Sequence, residues 1–259
     1  MRARAAARWI ARRLVSTGTP ASRDAKRAGE LEFWRREIDQ YVHWLTGKRA
    51  TLYGIPSPVP SEIVAAETPG RSAILTWIRK DASKYLAHLG VDAGIFRGRR
   101  VLELGCGPLP YALAFTECSI IGLDPLLPLY RAAGYPLESY PARLRYLCAD
   151  GERIPLAKAS VDAVVSVNAI DHVDNLLQVG REIDRVLVAD GVLLIEAHYH
   201  TPQPLEPWAL DDEIMAGLFR ARALRKVADR PFTEVYPAEF GHRDERLAVW
   251  TNLPELVGA

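Results

Sequence analysis

The sequence predicts an α/β fold. It is a doubly wound, mostly parallel seven-stranded sheet with an antiparallel edge strand, preceded by a helical N-terminal extension. Three observations predict it. From residue 99, short apolar runs alternate with helix-forming stretches, as in a parallel sheet covered on both faces. The first run, Val101-Leu102-Glu103-Leu104, breaks into Gly105-Cys106-Gly107-Pro108, where two glycines let the backbone turn tightly and approach a ligand. Near the C-terminus, residues 232–236 and 246–251 read as two strands with no helix between them, an antiparallel pair.

Taken in order, residues 1–17 favour a helix because Ala and Arg are good helix formers. Residues 1–28 form a basic arm, and residues 29–95 a helical cap or substrate lid. Residues 96–259 form the sheet domain. Within the cap, a helix is expected over 29–47, with Trp34 in its apolar set and Gly47 as its stop. The Pro-rich stretch 54–60 reads as a linker, and a further helix over 70–89 ends at Gly90. In the sheet domain the strands are 100–104, 119–123, 144–148, 161–167 and 191–197. The helices are 110–116, 126–133, 175–188 and 211–228.

Composition narrows the function. A chain of 259 residues, 49% hydrophobic, supports one sizeable core with an appendage. The net charge of +1 argues against a surface built for nucleic acid. The charge is uneven: residues 1–30 hold eight of the 33 Lys and Arg but two of the 32 Asp and Glu. The arm is therefore a candidate for peripheral membrane or anionic contact. Its Arg-rich, acid-poor start also has the composition of a transit segment. Cys106, Cys118 and Cys148 are too few and too scattered for a disulfide framework or a zinc cluster. No apolar stretch approaches the roughly 20 residues of a membrane span, and the N-terminus lacks the apolar region of a secretory signal. A cytoplasmic location is expected.

In open parallel sheets, ligands bind beyond the carboxyl ends of the strands, where the strand order switches. Those ends carry Glu103 and the glycine loop, Asp124-Pro125, Asp150-Gly151-Glu152, and Asn168-Ala169-Ile170-Asp171-His172. A dinucleotide fingerprint needs a third glycine where Pro110 sits, and Glu103 would set a carboxylate near the phosphates. A phosphate-free nucleoside carrying positive charge suits these acids better.

The runs VLELGCGP, IIGLDP, LCADGERIPL, VDAVVSVNAIDHV and LLQVGREIDRVLVADGVLLIE occur in one order. On them the chain resembles the class I S-adenosylmethionine-dependent methyltransferases of the small-molecule, type 11-like group. The resemblance covers residues 98–200 well and implies a Rossmann-like sheet with S-adenosylmethionine as cofactor. It implies that Glu103 orders the glycine loop and faces the methionine ammonium, and that Gly105, Cys106 and Gly107 let the backbone pass under the ligand. Asp124, beside Pro125, would accept from the ribose hydroxyls, and Asp150 from the adenine amino group with Gly151 and Glu152 beside it. Asn168 and Ala169 would contact the methionine part. One departure is visible: the family often has a third glycine where Leu109 sits, and Pro108 and Pro110 stiffen this turn.

Methyl transfer needs an aligned acceptor and, for a hydroxyl, a base. His172 lies where the family places residues near the acceptor and is the candidate base. His198 and His200 alternate on the last parallel strand and share a face. With Tyr199, Trp208, Trp34 and the Pro-rich loop 202–207, they are the candidate acceptor contacts. The three histidines are also of a type that holds zinc or iron. The carboxylate and amide pattern of the metal-dependent catechol group is not matched, so no metal is expected. The expected reaction is methylation of a small-molecule acceptor, on oxygen, such as a glycan or secondary-metabolite intermediate. The alternative is a non-catalytic cofactor-binding module serving a partner enzyme or a membrane-surface complex.

Overall fold

The structure is a computed structural model, and it describes residues 22–45, 47–52, 55–57, 86–135, 137–232 and 245–257. The expected helix at 1–17, most of that at 70–89, and residues 233–236 lie outside these.

Helix α1 (Arg23–Leu45) starts earlier than expected, and the division at residue 28 falls inside it. The signal is Ser22: its Oγ accepts from the amide of Ala25 at 3.2 Å, an N-cap, and Asp24 complements the first turn. At the start of the expected linker, β2 (Ile55–Pro56) pairs with β1 (Thr51–Leu52), just before it, as a short antiparallel ladder.

The main sheet comprises β3 (Arg100–Leu104), β4 (Ser119–Leu123), β5 (Leu144–Leu147), β6 (Val161–Val167), β7 (Leu187–Tyr199), β8 (Arg225–Pro231) and β9 (Arg246–Thr251). Its order is β5-β4-β3-β6-β7-β9-β8. The first five run parallel, and β9 pairs antiparallel with both β7 and β8. The order switches between β3 and β6, which places a crevice beyond Leu104 and Val167. One apolar layer, including Val101, Val165, Leu194 and Val249, faces α1 through Trp44. The other, including Leu102, Val164 and Ile195, is covered by α3 (Leu176–Val186) and α4 (Asp212–Leu218). Helix α3 buries Leu176, Val179, Ile183 and Val186, one stripe at helical spacing, and Asn175 caps it by accepting from the amide of Gln178.

Two expected helices are corrected. Residues 110–116 form only a short 3-10 turn, Tyr111–Ala114, because two of its amides are held by Glu103. The helix expected over 211–228 ends at Leu218. Ala223 takes a left-handed backbone (φ 51°), and the chain then enters β8. Residues 225–231 have helix-forming composition, but β9 presents an unpaired edge, and pairing satisfies the backbone groups of both strands. The charged character of β8 suits an edge strand. An antiparallel partner of 246–251 is therefore 225–231, a segment expected to be partly helical. Helix α2 (Leu127–Ala132) follows β4, and α5 (Pro254–Val257) follows β9.

Candidate functional site

Glu103 is fully buried at the end of β3. Its two oxygens accept from the amides of Tyr111 (2.8 Å) and Ala112 (3.0 Å), which fixes the chain leaving the glycine loop. Burial pushes its pKa up to about 8, despite the two amides. At the end of β4, Asp124 Oδ2 accepts from the amide of Gly107 (2.9 Å) and Oδ1 from that of Leu126 (2.7 Å). Burial raises Asp124 to about 6, against the pull of both amides. The loop thus hangs between two buried carboxylates.

Gly105 (φ 67°) and Gly107 (φ 56°) both take the left-handed backbone that glycine tolerates. A Cβ on Gly105 would lie 2.4 Å from Ala169 Cβ, so the loop after β3 and the loop after β6 meet too closely for any side chain. The missing third glycine is accommodated: Leu109 is buried in the core and Pro110 precedes the 3-10 turn. Cys106 is also buried, its Sγ donating to Gly107 O at 3.5 Å, and burial raises its thiol pKa further.

Asn168 sits at the switch point in a left-handed conformation (φ 45°). Its Oδ1 is buried and has no hydrogen-bond partner among the described residues. A buried, unsatisfied amide oxygen costs stability unless a ligand supplies a donor. Asp150 follows β5, and Gly151 is buried against Leu104 and Val179. Glu152 is occupied structurally: its Oε1 accepts from the amides of Asp174 and Asn175. Pro125 accepts from Cys148 Sγ at 3.7 Å.

Helix α1 lies across these loops. Arg23 reaches Asp150 (3.6 Å) and Asp174 (3.1 Å), and Lys26 Nζ donates to Asp174 (2.7 Å) and to the carbonyl of His172 (2.6 Å). Two basic side chains of the expected arm, Arg23 and Lys26, are therefore engaged within the molecule. A Cβ on Gly107 would lie 3.0 Å from the Trp34 ring, which covers the glycine loop.

The acceptor candidates divide. His198 and His200 are buried on one face of β7. His198 Nε2 bonds Glu245 (2.7 Å) and its ring stacks on Phe232 (centroids 4.6 Å). His200 Nδ1 donates to Thr201 O (2.7 Å), and Nε2 meets Asp171 (3.0 Å) and Glu206 (3.5 Å). Tyr199 is corrected: strand alternation turns it to the opposite face, where its hydroxyl donates to Asp212 (3.0 Å) and accepts from Trp250 Nε1 (2.8 Å). Trp208 Nε1 donates to Val173 O (2.6 Å), tying the Pro-rich loop to the turn that carries His172.

His172 is corrected as a base. Nδ1 bonds Glu30 (2.5 Å), and Nε2 lies 3.5 Å from Glu206 and 4.0 Å from Asp171. Burial opposes its charge, but Asp171, Glu30 and Glu206 outweigh it and carry the pKa up to about 10. Of the carboxylates around these histidines, Glu30 and Glu245 were not singled out in the sequence, Asp171 was read as part of the turn that carries His172, and Glu206 only as part of the loop 202–207. They come from four separated segments. The one available signal was that Asp171 and Glu206 sit in the His172 turn and the Pro-rich loop.

Comparison with known proteins agrees with this architecture. Residues 102–195 match the family model of a methyltransferase domain. An uncharacterized methyltransferase of Mycobacterium bovis is 34% identical over 100 residues, 38% of this chain and 39% of that protein. A sterol 24-C-methyltransferase of Aspergillus fumigatus is 34% identical over 113 residues, 42% of this chain and 29% of that one. The crystal structure of the [4+2]-cyclase SpnF superposes with a TM-score of 0.53 at 14% identity, over 90% of this chain and 96% of that one. Over residues 102–195 the chain is thus similar to methyltransferase domains, and its sheet has the fold of the solved neighbour. The matched region spans about two fifths of the mycobacterial relative.

Proposed function

We propose that the chain is an S-adenosylmethionine-dependent methyltransferase acting on a hydroxyl of a small-molecule acceptor, with α1 as the cover of its cofactor cleft. One observation carries the reading. Glu103, Asp124 and Asp150 lie at the carboxyl ends of three adjacent parallel strands around the glycine loop, and the unsatisfied Asn168 Oδ1 is at the end of the next strand. S-adenosylmethionine, when bound, supplies a methyl on a positively charged sulfur.

The site's residues fit that group. Glu103 offers a buried carboxylate to a cation. Each Asp124 oxygen has a lone pair beyond its amide bond for a ribose hydroxyl. Asp150 would take the adenine amino group, and Asn168 and Ala169 would line the methionine part. Trp34 and the ion pairs of α1 would close the cleft against water. His198, His200, Glu206 and Trp208 would line the acceptor side, where buried carboxylates and imidazoles suit hydroxyl partners. The sterol methyltransferase name of one relative supports a small-molecule acceptor.

The test is release of S-adenosylhomocysteine by the purified chain against a panel of hydroxylated metabolites. Turnover with one hydroxylated class, abolished in Asp124→Ala, is expected. Cofactor binding without turnover on any acceptor would favour the non-catalytic module instead.

A further inference from the structure

Beside the cofactor cleft, Asp171, His198, His200 and Glu206 present ligand atoms that all lie within 4.8 Å of one another. Asp171, His198 and His200 are buried, and Glu206 closes the group from the Pro-rich loop. We propose that these four side chains form a binding site for a divalent transition ion of the zinc type. Two imidazoles and two carboxylates are a donor set that zinc accepts, with bonds of about 2.0–2.2 Å and ligand atoms about 3.5 Å apart in a tetrahedron. Two of the pairs are already at or below that spacing, His200 Nε2 to Glu206 at 3.5 Å and to Asp171 at 3.0 Å, and the widest of the set, within 4.8 Å, must draw together on binding.

Two further observations point the same way. Ligating histidines fix their second ring nitrogen on a carboxylate or a backbone carbonyl. His198 holds Glu245 through Nε2, and His200 holds Thr201 O through Nδ1. The Thr201 carbonyl only accepts, so Nδ1 of His200 carries the proton, and its Nε2 faces Asp171 and Glu206. Second, Asp171 is fully buried, yet its Oδ1 accepts no hydrogen bond among the described residues. Its charge partner there is the His172 ring at 4.0 Å, too far for a hydrogen bond, so the oxygen keeps its lone pairs open to an ion.

The site lies at the carboxyl ends of β6 and β7, on the acceptor side of the cleft. A hydroxyl bound to such an ion loses its proton at lower pH, without a protein base. That role rests on the methyl-transfer reading, whereas binding of the ion does not.

The experiment is equilibrium dialysis of the metal-stripped full chain against Zn(II), with metal counted by mass spectrometry and Co(II) absorption as a second readout. The expected result is one ion per chain and a tetrahedral Co(II) band. Glu206→Gln and His198→Ala should each weaken binding by about tenfold or more, as loss of ligands does. Glu206 is partly exposed on a loop, so its variant tests the site even where a buried variant fails to fold. Retention of zinc by both folded variants would place the ion elsewhere and overturn the proposal. Absence of zinc uptake and of a Co(II) band in the wild type would overturn it too. S-adenosylmethionine binding measured in parallel separates failure of this site from failure of the methyltransferase reading.

Discussion

Glu103 shows how one buried residue shapes both loop and ligand site. Its ordinary pKa is near 4.5, and burial raises it to about 8. Between those values the folded chain holds a proton that the unfolded chain releases. Its contribution to stability is full below about 4.5 and is lost as pH rises through about 8. Without cofactor, the melting temperature of the wild type should therefore fall across this window more steeply than that of Glu103→Gln. Equal slopes in thermal melts would contradict the assignment. A cation beside Glu103 favours the carboxylate, so cofactor affinity should rise over the same window. Gly105→Ala should cost more than about 1–2 kcal/mol, because the left-handed backbone alone costs that much for alanine and the Ala169 methyl adds a clash. Denaturant titration measures this, and a loss under about 0.5 kcal/mol would show that the two loops separate easily.

At the scale of elements, α1 lies over the loops that follow β3 and β6. It is held by Arg23 and Lys26 on Asp174, by Glu30 on His172 and by Trp34 over Gly107. The surface pairs contribute little, about 0–1 kcal/mol each, so the Glu30–His172 contact and the aromatic cover carry most of the hold. His172→Ala should then speed amide exchange across residues 23–45 while leaving α3 protected. A rate defect with unchanged exchange in α1 would return His172 to a role at the acceptor. The β8 edge teaches a related lesson. Residues 225–231 have local composition that favours a helix, and the long-range partner β9 overrides it. The central strands β3 and β6 were legible because burial on both faces makes them continuous apolar runs.

For the whole molecule, the half of the site at the ends of β3 to β6 was legible as positions, because each follows an apolar run of its own, although the spatial order β5-β4-β3-β6 differs from the sequence order. The other half was not. Asp171, His200, Glu206 and Glu30 meet only through the tertiary arrangement of α1, β7 and two loops, and no spacing in the chain announces that meeting. Tyr199 was assignable from alternation alone, since its neighbours His198 and His200 already claimed the other face. The claim that unites these scales is that the crevice between β3 and β6 binds S-adenosylmethionine. Isothermal titration of the purified chain with S-adenosylmethionine tests it most directly. The account predicts a single site, weakened by roughly tenfold or more in Asp124→Ala, which loses a carboxylate worth about 1.5–3 kcal/mol in charge-assisted bonds. Absence of binding in the wild type, or equal affinity in Asp124→Ala, would contradict it.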